Sequence, residues 1–235
     1  MRFKPLETAL DQDERKLREA IVEKARWMNA IGLNQGTSGN ISARCGDRIL
    51  ITPTAIAYET MQPSMLATMP LEGGYGDWEG PLTPSTEWRF HIDIMRTRPD
   101  VGAIVHTHST FATVLAIARR PIPACHYMVA VFGGNDIRCA DYATYGTKAL
   151  SDNALKALEG RNGCLLANHG MIAAGADLDR AMWLAVELET IAKQHYHALL
   201  IGGPVILPDS AIEETRRSME GYGLRVAEAG VPPVG

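Results

Sequence analysis

His106, Thr107 and His108 set two imidazoles two residues apart, just after the apolar run Val101 to Val105. That run predicts a short buried strand, and strand residues at i and i+2 face one side. Two imidazoles on one side can grip one metal ion. Alone, the pair is a weak signal, because histidine is often only a satisfied polar residue. Two further residues strengthen it. His169 stands in Asn168-His169-Gly170, between the apolar runs Gly163 to Ala167 and Met171 to Ala174, where a strand meets a turn. Glu87 is expected in the first turn of a helix from Thr86 to Arg98, with Ser85 as its cap and Pro99 just beyond. Three imidazoles and one carboxylate suit a catalytic Zn²⁺, with Mn²⁺ or Co²⁺ as other occupants.

The remaining histidines divide. His91 lies four residues after Glu87 on the same helical face, as a rival ligand or an outer partner. His195 and His197 lie two apart on an expected helix, point away from each other, and are expected at the surface.

A second constellation is Gly36-Thr37-Ser38-Gly39-Asn40. Small residues let backbone N–H groups approach an anion, and the hydroxyls and the amide add donors. The segment lacks the GK[ST] ending of a nucleotide P-loop. Its bland reading is an ordinary turn. Ser85-Thr86 at a helix N-terminus is another anion site, where unpaired N–H groups and the helix dipole favour phosphate. Its bland reading is a simple cap.

The elements that would position these groups alternate in period. Thr8 to Ile31 reads as a helix, with Leu17, Ile21, Ala25 and Met28 at helical spacing and Gly32 at its end. Asn40 to Thr52 reads as a hairpin turning at Gly46-Asp47. Residues 71 to 84 read as a surface loop. Ser109 to Arg119, Thr147 to Leu158 and the stretch from Asp177 through Leu200 read as helices. Ile122 to Gly134 is expected to hold a strand centred on Met128-Val129-Ala130-Val131. Short strands mixed with helices on one core indicate one α/β domain.

Composition narrows the partners. Apolar residues make up 46% of the 235-residue chain, enough for a large core, and charged residues only 21%. The net charge is -4 with no basic block, which argues against nucleic acid or an acidic membrane as the main partner. No apolar segment approaches the length of a membrane helix, and no signal core follows Met1 to Pro5. Cys45, Cys125, Cys139 and Cys164 are far apart and form no CxxC pair. They are expected as reduced, mostly buried thiols of a cytoplasmic protein.

Six segments then converge on one resemblance. Gly32 to Asn40, Ile51-Thr52-Pro53-Thr54, Ser85 to His91, Val105 to His108, His126-Tyr127-Met128 and Asn168-His169-Gly170 closely resemble the class II aldolase/adducin family, in order, over about Ala25 to Arg225. The resemblance implies one α/β/α domain spanning residues 1–235, with a central mixed, mainly antiparallel sheet. It also implies a C4 homotetramer with one zinc ion per subunit at a subunit interface. By matching position the metal ligands are Glu87, His106, His108 and His169. The phosphate site maps onto Gly39, Asn40, Thr54, Ala55, Ser85 and Thr86. The catalytic tyrosine maps onto Tyr127, and a second onto Tyr222 near the C-terminus. The implied reaction is reversible cleavage of a ketose 1-phosphate to dihydroxyacetone phosphate and a small aldehyde. L-fuculose 1-phosphate and 5-deoxy-pentulose 1-phosphates are the implied kinds of substrate. Glu87 would move a proton at C3 and Tyr127 at the aldehyde oxygen.

The chain departs from the family pattern at three places. Ala55 replaces a glycine and Thr86 a serine, both at the phosphate end. Thr107 gives the HTH spelling found in pentulose-phosphate epimerases, which tend to carry Asp in place of Glu87 and lack the His-Tyr-Met segment. The other readings within the family are a 4-epimerase and a 3-oxo-tetronate 4-phosphate decarboxylase. A reading of a different class is a non-catalytic, adducin-like interaction module, whose expected mark is loss of metal ligands. All four matched ligands are present here.

Overall fold

Alternation along the strands sorts the apolar residues into two cores, one on each side of a single sheet. The computed structural model describes residues 12–219. Its strands are β1 (Asn40–Cys45), β2 (Arg48–Ile51), β3 (Ala67–Pro70), β4 (Ala103–Thr107), β5 (Ile122–Pro123), β6 (Asp136–Ala140), β7 (Gly163–Leu166) and β8 (Gly170–Gly175). The sheet order is β3-β2-β1-β4-β8-β7-β6-β5, and every neighbouring pair is antiparallel except β6 and β7. This is the mixed, mainly antiparallel sheet expected.

Ile41 and Ala43 of β1, Val105 of β4 and Met171 and Ala173 of β8 enter one core. There they meet α1 (Gln12–Ala30), α3 (Thr110–Ile117) and α5 (Leu178–Leu200). Ile104, Ile172, Ala174 and Leu166 enter the other, against α2 (Trp88–Thr97) and α4 (Lys148–Ala157). The result is three layers, helix on sheet on helix. A sixth helix, α6 (Asp209–Ser218), packs Ile212 against Ala124 and Ala130. Asp177 caps α5, its carboxylate accepting from the Arg180 N–H at 2.7 Å.

Several expectations change. Tyr127–Phe132 is a 3-10 helix, not a strand. The His126 ring accepts the Met128 N–H at 3.2 Å, and Gly133, at φ 92°, ends the segment. An apolar run of this length carries no period that separates strand from buried turn. Helix α2 starts at Trp88, with Glu87 rather than Ser85 as its cap. Pro84 bridges to Pro53, and the Ser85 N–H donates to the Thr52 carbonyl at 3.0 Å, so the chain is still extended there. Strands β3 and β6 and helix α6 were not expected; β6, Asp-Ile-Arg-Cys-Ala, is too polar to stand out as a strand. The start of the first helix, Thr8 to Asp11, lies outside the described residues. His195 is buried, because it continues the α5 face of Leu188, Ile191 and Ala192; only His197 is exposed. Spacing of two on a helix separates two side chains without saying which faces inward. No disulfide joins the four cysteines, yet only Cys164 is fully buried and the other three are half-buried.

Candidate active site

The strand register delivers the histidines. His106 sits opposite Asn40 of β1 and Ile172 of β8, with no solvent exposure. His108 follows just past the end of β4, on the same side. His169 occupies the tight connection from β7 to β8, where Asn168 adopts φ 55°. One ligand nitrogen from each of the three lies within 4.8 Å of the others. Gly170 makes this convergence sterically possible. A Cβ there would meet the Thr107 carbonyl oxygen at 2.5 Å and His108 Cδ2 at 2.8 Å.

Glu87 faces this group from the α2 cap. Its Oε2 is 3.2 Å from His106 Nε2 and its Oε1 3.1 Å from His169 Nε2. The donor chemistry fits a cation. His106 Nδ1 is 2.8 Å from the Met171 carbonyl oxygen, an acceptor, so Nδ1 carries the proton and the neutral ring presents a bare Nε2. That lone pair faces His108 Nε2 at 3.2 Å as well as the carboxylate. Converging lone pairs and a carboxylate repel unless a proton or metal ion lies among them. Zinc, with its nitrogen and oxygen ligands, fits the set.

The closeness of these groups shifts how each ionises. Burial would raise the Glu87 carboxyl, but the His106 and His169 rings hold it far below the carboxylate range. Burial would lower His106, yet the adjacent Glu87 raises it on balance. Burial, with His106 and His169 alongside, pushes His108 down to about 4.

One cavity of about 350 Å³ joins this cluster to the anion segments. Gly39, Asn40, Thr54, Ala55, Ser85 and Thr86 all line it, together with Glu87, His108 and His169. The backbone there is unusual. Gly39 has φ 70°, and a Cβ on it would meet the His106 carbonyl oxygen at 2.6 Å. The Tyr58 hydroxyl donates to the Gly39 carbonyl at 2.7 Å and pins this turn. Ala55 holds φ 57°, a left-handed conformation that favours glycine. No lysine or arginine stands among the described residues that line the cavity. An anion here would depend on N–H groups, hydroxyls and the N-terminus of α2.

Residues 19–196 match the family model described as Class II Aldolase and Adducin N-terminal domain. The chain belongs to the class II aldolase and adducin family. It is 51% identical to the 5-methylthioribulose-1-phosphate/5-deoxyribulose-1-phosphate aldolase of Rhodospirillum rubrum, over 88% of this chain and 92% of that protein. It is 43% identical to the L-fuculose phosphate aldolase of Escherichia coli K12, over 92% of this chain and all of that one. Among solved structures, an L-fuculose 1-phosphate aldolase superposes with a TM-score of 0.84 at 39% identity, covering 87% of this chain and 96% of that chain.

Not every residue expected at an aldolase site is brought to this cavity. The Tyr127 ring is 47% exposed and packs beside His126, with ring centroids 4.6 Å apart, away from the cavity lining. Tyr222 lies outside the described residues. His91 does not join the metal group; it stands behind Asn40, fully buried. Tyr142 and Tyr145 do line the cavity, on the loop between β6 and α4, and sequence reasoning passed over them. Their only signal was two aromatic rings in an otherwise polar loop.

Proposed function

We propose that this protein is a zinc-dependent class II aldolase that cleaves a ketose 1-phosphate to dihydroxyacetone phosphate and a small aldehyde. The observation that carries this reading is the single cavity shared by Glu87, two of the clustered histidines and the anion-binding turns. His106, His108 and His169 would hold the ion, with Glu87 as the fourth ligand at rest. Bound zinc supplies Lewis-acid polarisation of a substrate carbonyl.

The chain's own groups do the rest. Gly39, Asn40, Thr54, Ala55, Ser85 and Thr86 receive the phosphate and so fix the distance from it to C3. The C4 hydroxyl loses its proton, the C3–C4 bond breaks, and the aldehyde departs with its new carbonyl. The bonding electrons stay on C3 of the dihydroxyacetone phosphate half. Glu87 delivers a proton there, and takes one away in the reverse direction. Tyr127 handles the proton at the aldehyde oxygen. Because its ring lies outside this cavity, we assign it to the cavity of a neighbouring copy; Tyr222 keeps the second catalytic role its match implies.

That assignment requires an oligomer. A homotetramer with closed symmetry, about four times 25.6 kDa, is the assembly we propose. Leu200, Ile201, Val205 and Ile206 form an exposed apolar stretch that an interface would cover. Light scattering should give the tetramer mass, and dilution to monomers should abolish activity. Cysteines without disulfides suit a reducing cytoplasm. Among the described residues no helix is long and apolar enough to cross a membrane.

The substrate class follows the relatives' names: a 5-deoxy-pentulose 1-phosphate or its 5-methylthio analogue first, a deoxyhexulose 1-phosphate second. The test supplies dihydroxyacetone phosphate with acetaldehyde, (methylthio)acetaldehyde and lactaldehyde and identifies the products. Carbon–carbon bond formation with any of them supports the aldolase. Epimerisation of a pentulose phosphate, or carbon dioxide release from a 3-oxo-tetronate phosphate, without condensation would replace it.

A further inference from the structure

Behind Glu87 runs a buried line of polar side chains, of which the reaction above uses Asn40 but neither His91 nor Ser42. Asn40 Nδ2 donates to Glu87 Oε2 at 3.0 Å. Asn40 Oδ1 is 2.5 Å from His91 Nε2, and His91 Nδ1 is 2.7 Å from the Ser42 hydroxyl oxygen. His91 and Ser42 have no solvent exposure, Asn40 3% and Glu87 7%. Two periodicities build the line. Asn40 and Ser42, at i and i+2 on β1, face α2; Glu87 and His91, at i and i+4, face β1. We propose that His91, backed by Ser42, is a positioning residue for Glu87 that acts by locking the orientation of the Asn40 carboxamide.

The chemistry gives the line one direction. A carboxylate only accepts hydrogen bonds, so the Asn40 amide must turn its NH₂ to Glu87 and its oxygen to His91. His91 Nε2 must then carry hydrogen. In the neutral ring Nδ1 is bare and accepts the Ser42 hydroxyl proton. Every donor therefore points toward the Glu87 carboxylate, and each bond polarises the next. Without the His91 N–H, the Asn40 amide oxygen is buried and unpaired. The amide is then held from one side only, by its N–H bond to the Glu87 carboxylate. The Phe90 ring stacks on His91 at 4.5 Å between centroids and keeps the imidazole in plane. Asn40 thus has two duties: one N–H for Glu87, and a place in the lining of the anion end.

The role rests on Glu87 being the reacting carboxylate, as proposed above, so the test has an arm independent of turnover. Nitrogen NMR of the metal-free chain should show His91 as the Nε2–H tautomer, and Asn40→Ala should perturb that signal. An Nδ1–H tautomer overturns the proposal. In the zinc-loaded enzyme, His91→Phe should keep its metal but slow exchange of the C3 proton of dihydroxyacetone phosphate about 10- to 100-fold, the loss of one hydrogen bond to a charged group. His91→Gln, which restores a donor near Nε2, should recover most of the rate, and it serves if His91→Phe fails to fold. The double variant His91→Phe/Asn40→Ala should be no slower than Asn40→Ala alone, because both act through one amide. Wild-type exchange in His91→Phe, or additive losses in the double variant, overturns it. If the wild-type chain exchanges no proton, the aldolase reading fails, and the tautomer measurement still decides the orientation of Asn40.

Discussion

The two ends of the cavity are built by opposite means. At the metal end, side chains do the work and the sheet places them. His106 is fixed by register between β1 and β8, and its ring is locked by the Met171 carbonyl. At the proposed anion end, the backbone would do the work. Gly39 and Ala55 sit at positive φ, and no lysine or arginine reaches the described lining. Rigid strands can hold nitrogen lone pairs within tenths of an ångström, as a metal demands. A phosphate spreads its charge over several oxygens and is content with turns and a helix N-terminus. Truncating a side chain should therefore be ruinous at the first end and graded at the second.

The largest effect is expected at the histidines. His106→Ala and His169→Ala should each lose zinc and activity together, with metal affinity down by more than about 100-fold, beyond what loss of an outer partner costs. Atomic absorption on dialysed protein, beside a turnover assay, checks this. A variant that keeps its zinc would mean that the three imidazoles do not share one ion.

Glu87→Gln comes next and separates ligand from proton carrier. The amide leaves three imidazoles to hold zinc but cannot give or take a proton at C3. Exchange of the C3 proton with deuterium should fall by about 10²- to 10⁴-fold, the usual worth of a general acid–base group. Near-normal exchange in a zinc-loaded Glu87→Gln enzyme would leave Glu87 as a ligand alone.

The third contrast lies within the anion end. Ser85→Ala removes one hydroxyl near the phosphate and should raise KM about 10- to 100-fold, with kcat little changed. Asn40→Ala should raise KM and also lower kcat, since its amide holds the Glu87 carboxylate. Equal effects of the two variants on both constants would dissolve the distinction.

The same division explains what could be read from the sequence. The histidines were legible because strand spacing is rigid: i and i+2 must share a face, and the runs on either side of Asn168-His169-Gly170 are plainly apolar. The anion end was legible only as small and hydroxyl residues. Nothing local announced that Pro84 would bridge Pro53 and hold Ser85 extended, which delays the helix to Trp88. Tyr142 and Tyr145 reach the cavity from a loop whose course is set by the parallel pairing of β6 with β7, a long-range fact. Met128 to Val131 was misread because a buried 3-10 turn and a buried strand have the same composition. His91 was legible as a neighbour of Glu87, but its partner Asn40 comes from a strand that starts 51 positions earlier.

The smallest effect concerns Ala55, where the chain departs from a family glycine. Its φ of 57° is a conformation that costs an L-residue roughly 1–2 kcal/mol. The side chain is exposed, so its methyl group buries little in return. Ala55→Gly relieves the strain, but glycine loses about 0.5–1 kcal/mol more backbone entropy on folding. The net runs from about zero to a stabilisation of about 1.5 kcal/mol, or a rise in Tm of at most roughly 3–6 °C for a chain of this size. If the anion end works through backbone groups as proposed, both residues present the same N–H, and KM should not move. Thermal unfolding and a substrate titration on one preparation test both halves. A raised KM would show that the Ala55 methyl group itself shapes the cavity, and the anion end would then depend on side chains as the metal end does.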